Sequence, residues 1–283
     1  MTFPAPIAQA RPAARVLYGV ALPLSLAVWL LPLAAVMLTS LRSLPEVSRG
    51  DYWGWPETWE FANYGRVLAG TPMLCYLLNS LVVALPTVTG TILISAMAGT
   101  ALALYRLRLG VPLFAMFVAG NLVPFQILMI PVRNLMVRLG VYDTYGSLIL
   151  FHIAFQTGFC TLFMRTFIGR LPFELVEAAR LAGAGELRIF WWIVLPLVRP
   201  AMAALAVLVF TFVWNDYFWA LTLVQSDSVR PVTTGLTALR GQWVTSWQLV
   251  SAGSLVAALP PVAVFLLMQN HFISGLTVGA RRR

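Results

Sequence analysis

A cluster of aromatic and polar side chains interrupts a long apolar stretch at residues 214–219, which read WNDYFW. On a continuous helix, the 3.6-residue period would place four neighbouring side chains on one face: Phe212, Asn215, Asp216 and Trp219. Aromatic rings beside an amide and a carboxylate could stack on a sugar ring and accept hydrogen bonds from its hydroxyl groups. A polar contact between helices, or an aromatic belt at a membrane interface, would explain Trp214 and the other residues of the run equally well.

Other polar residues also lie within apolar stretches. We include three of them as candidates for the same pathway: Asn79, Asn121 and Gln126. Each of these, like His152 and Gln156, is more readily explained as a hydrogen-bonding group between helices. The sequence shows no nucleophile paired with a base, no metal-ligand spacing and no glycine-rich phosphate loop. A membrane-embedded enzyme is therefore a poor interpretation.

The composition identifies a polytopic membrane protein. Hydrophobic residues make up 60% of the 283 residues, charged residues make up 10%, and the mean hydropathy is +0.83. Soluble domains carry about 25% charged residues. All 19 basic residues are arginine, which excludes a P-loop ATPase because that loop requires a lysine. The two cysteines, Cys75 and Cys160, are expected to be buried free thiols.

Six uncharged or nearly uncharged stretches are long enough to cross a bilayer, which requires about 20 residues. They are Val16–Leu41, Met73–Leu104, Leu109–Val132, Thr144–Met164, Leu195–Val224 and Leu249–Phe272. A cleaved signal peptide is the alternative for the first, although its apolar core would normally have only about 7–15 residues. The resulting division is a tail at 1–15, a six-span domain at 16–280 and a basic tail at 281–283.

The distribution of arginines predicts the orientation of these spans. If both termini are cytoplasmic, twelve arginines and three acids lie inside, against seven arginines and six acids outside. The positive-inside rule then favours cytoplasmic N- and C-termini. The tryptophan-rich segment Arg42–Pro72 would rest at the outer membrane interface. The basic charge therefore reflects topology and gives no reason to expect a nucleic-acid partner.

The cytoplasmic segment 171–200 carries repeated charge. Pro172 suits the first turn of a helix that would run to Leu181, and Glu174 and Glu177 complement the helix dipole near its start. Small residues leave one face smooth, and Gly183 allows the chain to turn. An ordinary solvated loop would have the same composition.

The spacing in this segment resembles the EAA motif of ABC importer permeases. The residues that carry the resemblance are Glu177, Ala178, Ala179, Gly183, Ile193, Leu195 and Pro196. Ala182 stands where carbohydrate importers usually carry Asp. The stretches NYGRVL, VPFQILMIPV and FLLMQNHFISGLTVGA, among others between Asn63 and Ala280, resemble carbohydrate-uptake permeases of the maltose and glycerol-phosphate type.

The resemblance implies an all-α integral membrane protein with six transmembrane helices, a cytoplasmic coupling helix and the fold of type I ABC importer permeases. Glu174 and the EAA residues would then contact a cytoplasmic ATPase. The implied partners are a homologous second permease subunit, two ATPase subunits and an external solute-binding protein, in the inner membrane of a bacterium or archaeon. ATP and Mg²⁺ would bind to the ATPases, and this chain would bind no cofactor.

The solute implied by the resemblance is a sugar or a related hydroxyl-rich compound. A glycerol-phosphate importer is one alternative. A secondary transporter with Asp216 as an ion or proton site is another, although such transporters usually contain internal repeats, and the sequence shows none.

Overall fold

A computed structural model of the protein describes residues 12–50, 52, 54–105, 112, 115–116, 119–120, 124–239 and 246–277. Within these residues all regular secondary structure is helical. The chain forms two compact units. One contains the described residues up to Thr71 together with Leu239–Val256, and the other contains Pro72–Ala238 together with the described residues from Ala257 onward.

Thirteen α-helices are formed by the described residues. They are α1 (Pro12–Ser40), α2 (Leu44–Ser48), α3 (Ala62–Gly70), α4 (Met73–Leu104), α5 (Met129–Arg138), α6 (Tyr145–Ile168), α7 (Phe173–Leu181), α8 (Glu186–Ile189), α9 (Leu195–Leu197), α10 (Arg199–Trp214), α11 (Phe218–Leu223), α12 (Val232–Ala238) and α13 (Trp247–Thr277). Two 3₁₀ turns occupy Phe125–Leu128 and Asp227–Val229, and a π-helical turn occupies Phe190–Val194.

Four of these helices, α1, α4, α6 and the Trp247–Gln269 part of α13, are long and apolar enough to cross a membrane. A fifth span results if Glu186–Leu197 and α10 form one bent element. Ten of the 24 residues of the predicted third span, Leu109–Val132, lie outside the described residues, and its last residues form the 3₁₀ turn and the start of α5. The bounds predicted for α4 agree with the structure, and those predicted for α1 and α6 differ by a few residues.

The predicted fifth span, Leu195–Val224, is wrong as a single helix. The chain bends by 75° between Leu197 and Arg199. Pro200 explains this bend, because it has no N–H to donate to the carbonyl four residues earlier and its ring crowds that carbonyl. A second interruption separates α10 from α11 at residues 215–217, where asparagine and aspartate side chains bond to nearby backbone groups.

The connection between α5 and α6 is short, because α5 continues to Arg138 and α6 begins at Tyr145. The turn that follows is attached to residues 225–226. The Asp143 carboxylate accepts hydrogen bonds from the N–H groups of Gln225 at 2.7 Å and Ser226 at 2.9 Å, and from the Ser226 hydroxyl. The hydroxyl bond, together with these backbone bonds, holds the pKa of Asp143 below its ordinary value.

Helix α4 is central to the second unit and packs most extensively against α6. Small residues in its C-terminal half allow this close approach. A Cβ atom on Gly99 would lie only 2.8 Å from the Met164 Cβ and 2.9 Å from the Arg165 backbone nitrogen. Cys160 on α6 is buried as predicted, whereas Cys75 is exposed because it lies on the outward face of α4.

In the first unit, the segment between α1 and α3 is folded around buried charges. Arg42 and Glu46 are each 2% exposed. The Arg42 guanidinium donates to the Gly54 carbonyl at 2.7 Å, and the Glu46 carboxylate accepts from the backbone N–H of Glu57 at 2.6 Å. The described tryptophan rings of this segment remain exposed, with Trp55 at 79% and Trp59 at 49%. A place at the membrane interface stays a prediction for these rings.

Candidate functional site

A cleft of about 780 Å³ lies in the second unit, between α6 and the interrupted region that joins α10 to α11. Its walls carry seven aromatic side chains and five polar ones. They are Phe151, His152, Phe155, Gln156, Phe159, Thr211, Phe212, Asn215, Asp216, Tyr217, Phe218 and Trp219. A mostly apolar cavity with a few convergent polar groups is typical of a small-molecule site.

Helix α6 forms one wall of the cleft. Phe151, Phe155 and Phe159 recur every four residues and therefore share one helical face, and the Phe151 and Phe155 rings stack at 5.5 Å. His152 and Gln156 repeat the same spacing beside them. The sequence analysis did not assign these five residues to the pathway. Their four-residue spacing in an uncharged stretch was the signal that could have identified them.

Asp216 lies in the interruption and contacts three different groups. Its carboxylate accepts hydrogen bonds from the N–H groups of Trp219 at 3.3 Å and Ala220 at 2.9 Å, in the first turn of α11. The Nε2 atom of His152 lies 3.5 Å from its Oδ2 atom. The Asp216 side chain is 13% exposed. These contacts fix the direction of the carboxylate at the wall of the cleft.

The four side chains predicted to share a helical face all line the cleft, although no continuous helix carries them. The interruption turns the chain so that residues before and after it face the same space. Trp219 is 4% exposed, and its ring lies against the Phe151 ring with 3.8 Å between centroids. This contact connects the two walls of the cleft.

The remaining predicted pathway residues lie elsewhere or are not described. Trp214 is buried, and its indole N–H donates to the Ala257 carbonyl at 3.0 Å. Asn79 is also buried; its amide donates to the carbonyls of Ser228 and Arg230 and accepts from the Tyr145 hydroxyl. Gln126 is exposed on the 3₁₀ turn and does not line the cleft. Asn121 lies outside the described residues.

The segment predicted to couple to an ATPase contains the expected helix, α7. Pro172 precedes it, and Glu174, Glu177 and Ala178 are exposed, whereas Ala179 is only partly so. Gly183 follows the helix with a φ of +80°. Its own N–H bonds to a carbonyl of the last turn, and the next N–H bonds to the Ala179 carbonyl at 3.0 Å. This pattern is a Schellman cap, which requires the left-handed conformation that glycine adopts without strain.

The end of the EAA-like segment differs from a regular helix. Ile193 is partly buried within the π-helical turn, and Leu195 and Pro196 begin α9 with partly exposed side chains. The π turn exposes Trp192, which is 79% accessible. A hollow of about 470 Å³ beside it is lined by Ala184, Arg188, Ile189, Trp192 and Ile193. The sequence carried no signal for the π turn.

Comparison with known proteins places the chain among membrane transport components. Residues 90–278 match the family model described as "Binding-protein-dependent transport system inner membrane component". The chain is 30% identical over 254 residues to the melibiose/raffinose/stachyose import permease protein MelC of Bacillus subtilis, covering 88% of this chain and 90% of that protein. It is 36% identical over 208 residues to the sn-glycerol-3-phosphate transport system permease protein UgpE of Pectobacterium atrosepticum, covering 73% of each.

A solved structure has the same fold. It is the crystal structure of a bacterial ABC transporter involved in the import of the acidic polysaccharide alginate. The TM-score is 0.80 at 22% sequence identity, and the match covers 93% of this chain and 99% of the other. The family match extends over most of the chain and agrees with the helical fold. The chain therefore belongs to the family of binding-protein-dependent transport system inner membrane components, the permease subunits of ABC importers.

Proposed function

We propose that this chain forms half of a translocation pathway for a neutral, hydroxyl-rich solute, and that the aromatic cleft contacts this solute. The observation that carries the proposal is the combination of aromatic walls with a fixed carboxylate. Rings such as Phe155 and Tyr217 offer flat faces to the C–H groups of a sugar. The Asp216 carboxylate and the Gln156 amide can accept hydrogen bonds from its hydroxyls. The volume lies in the range that small ligands occupy.

The charge of the cleft favours a neutral sugar over a phosphate ester. Glycerol 3-phosphate is the alternative, because one relative is a permease for it. Phosphate groups are usually bound by arginine or lysine, and neither residue is among the described side chains of the cleft. Asp216 would repel a phosphate at close range. A solute without negative charge avoids this repulsion and can still use the carboxylate as an acceptor.

We propose further that the energy for transport enters through α7. The exposed EAA residues would dock on one of two cytoplasmic ATPase subunits, which bind ATP and Mg²⁺, and this chain would bind neither. A second permease would complete the pathway, and an external binding protein would deliver the solute. Closure of the ATPases would then shift the population between inward-facing and outward-facing states. This arrangement requires cytoplasmic N- and C-termini.

The test of the pathway assignment is Asp216→Asn in the complete transporter reconstituted in vesicles. Asparagine has nearly the same shape as aspartate and keeps one acceptor oxygen. It therefore preserves more of the hydrogen bonding to the first N–H groups of α11 than alanine would. Bonds to a charged acceptor contribute about 1 kcal/mol more than neutral ones, so uptake at limiting solute should fall about 5-fold. The solute is first chosen by testing melibiose, raffinose and glycerol 3-phosphate for binding to the cognate solute-binding protein.

Asp143→Asn is the matched control, because its carboxylate also accepts bonds from two backbone N–H groups but does not line the cleft. Its uptake should equal that of the wild type when both are corrected for the amount of assembled transporter. Equal uptake by Asp216→Asn and wild type would refute the role of the cleft. A binding protein that takes glycerol 3-phosphate and neither sugar would refute the proposed solute class.

A further inference from the structure

Three side chains at one end of α4 form a cluster that the sequence analysis did not identify. The Arg180 guanidinium makes two hydrogen bonds to the Glu186 carboxylate, at 2.8 Å from Nε and 3.2 Å from Nη2. The Tyr105 hydroxyl donates to the same carboxylate. The Arg180 guanidinium also lies over the Tyr105 ring, 5.6 Å from its centroid. We refer to Tyr105, Arg180 and Glu186 as the Arg180 cluster.

The cluster joins three elements. Arg180 lies in the last turn of α7, Glu186 is the first residue of α8, and Tyr105 directly follows α4. The Schellman cap at Gly183 fixes the start of the turn between α7 and α8 through backbone hydrogen bonds. The paired side chains add a second constraint, which extends to Tyr105 after α4. They hold α7 in a defined position relative to α4.

The opposite end of α4 is bonded to the region of the cleft. The Ser80 hydroxyl accepts from the Val232 N–H at 2.8 Å, and Asn79 bonds to the carbonyls of Ser228 and Arg230. The next residue, Thr233, donates its hydroxyl to the Asp216 carbonyl at 2.5 Å. Because α4 has 32 residues, it spans about 48 Å at 1.5 Å per residue. Helix α4 is continuous, with Pro86 inside it, and through these bonds it connects the end of α7 with the backbone of Asp216.

We infer that the Arg180 cluster transmits displacement of α7 to α4, and that Tyr105 and Glu186 are positioning residues for the coupling of hydrolysis to transport. This inference rests on the docking role proposed for α7. When an ATPase moves α7, the bidentate ion pair moves Glu186, and the Tyr105 hydroxyl carries the displacement to α4. The bonds at Asn79 and Ser80 then pass it to the segment that holds Asp216.

The exposure of the cluster separates this role from a contribution to stability. The Arg180 side chain is 32% exposed and that of Glu186 is 49% exposed, and ion pairs as exposed as this contribute little to folding stability. Removing one hydroxyl from Tyr105 should therefore leave folding, assembly and ATPase binding unchanged. A loss of coupling in such a variant would not follow from unfolding.

The experiment compares Tyr105→Phe, Glu186→Gln and the double variant in vesicles that contain the complete transporter. The measured quantity is the number of ATP molecules hydrolysed per solute molecule taken up. Mutations along a coupling network change coupling by about 2- to 30-fold, so this ratio should rise at least about 2-fold in each single variant. The double variant should resemble the more affected single variant, because both changes interrupt the same series of contacts from Arg180 through Glu186 to Tyr105. A folding defect would lower hydrolysis and uptake together and leave the ratio unchanged.

Two controls separate failure of this inference from failure of the docking role. Tyr142→Phe removes a hydroxyl from another arginine–tyrosine contact, in which the Arg133 guanidinium lies 4.8 Å from the ring centroid, and should leave the ratio unchanged. Ala179→Trp should release the ATPase if α7 docks there. An unchanged ratio in Tyr105→Phe, additive effects in the double variant, or ATPase release by Tyr105→Phe would each overturn the inference. If Ala179→Trp retains the ATPase and normal hydrolysis, the docking role itself is wrong.

Discussion

The close contact between α4 and α6 at Gly99 makes a quantitative prediction possible. In Gly99→Ala, the added Cβ would lie 2.8 Å from the Met164 Cβ, 2.9 Å from the Arg165 nitrogen and 3.2 Å from the Met164 carbonyl carbon. Ordinary van der Waals contact begins at 3.4 Å. None of these atoms is the end of a flexible side chain, so no rotamer change relieves the contact. The two helices would have to separate by about 0.6 Å, and they would lose dispersion contacts along their interface.

The expected magnitude follows from two opposing effects. Overpacking of a well-packed contact costs about 1–3 kcal/mol, and the rigid neighbours favour the upper half of this range. Alanine recovers about 1 kcal/mol relative to glycine within a helix. We therefore expect a net destabilisation of about 1–2 kcal/mol. The apparent melting temperature should decrease by about 2–4 °C per kcal/mol in a chain of this size.

The assay is the temperature at which half of the purified chain in detergent remains monodisperse. The control is Gly65→Ala in helix α3, because nothing lies within 4 Å of the Cβ it would add, and it should be neutral or slightly stabilising. Gly99→Leu should prevent assembly altogether. If Gly99→Ala is as stable as the wild type, the close packing of α4 against α6 is wrong, and α4 would lose the rigid support that a transmitting helix requires.

Two further predictions concern α7 and the cleft. Ala179→Trp should overfill the proposed docking groove at a cost of about 1–3 kcal/mol. Gly183→Val should be strained, because a β-branched residue disfavours the observed φ of +80°. Both variants should reduce co-purification of the ATPase or the stimulation of ATP hydrolysis by solute, and normal co-purification with normal stimulation in both variants would contradict the docking role. Phe155→Leu removes a ring worth about 0.5–1.5 kcal/mol if it stacks on the solute, so half-maximal uptake should need about 2- to 12-fold more solute. Phe163→Leu on the same helix lies outside the cleft and should have no such effect; equal effects of the two changes would argue against stacking.

The parts of the fold that depend on local chemistry could be predicted from the sequence. Helix α4 begins after Pro72 and ends just before Arg106 and Arg108, so its uncharged length defined its bounds. Helix α7 was predicted because its start and end are determined by adjacent residues. Pro172 favours the first turn, and Gly183 provides the left-handed conformation that ends the helix. Such signals act within a few residues and do not depend on the tertiary structure.

The composition of the cleft could be predicted only in part, because it depends on contacts between distant residues. His152 lies 3.5 Å from Asp216, but 64 positions separate them in the sequence, and no local pattern links them. Trp214 belonged to the most unusual run in the chain, yet the interruption after it directs its indole toward Ala257. Asn79 has a similar explanation, since its three partners come from Tyr145, Ser228 and Arg230.

The interruption at residues 215–217 bears on whether this region faces lipid or a hydrated pathway. Within a bilayer, non-helical backbone is tolerated where protein surrounds it or where it lines a water-filled cavity, because lipid cannot satisfy free N–H and C=O groups. Here the Asp216 carboxylate accepts hydrogen bonds from two N–H groups of α11, and the Thr233 hydroxyl donates to the Asp216 backbone carbonyl. An acid at this depth would also be costly against lipid. The same residues that break the helix thus make the cleft wall polar, which favours a place along a hydrated pathway over one facing lipid.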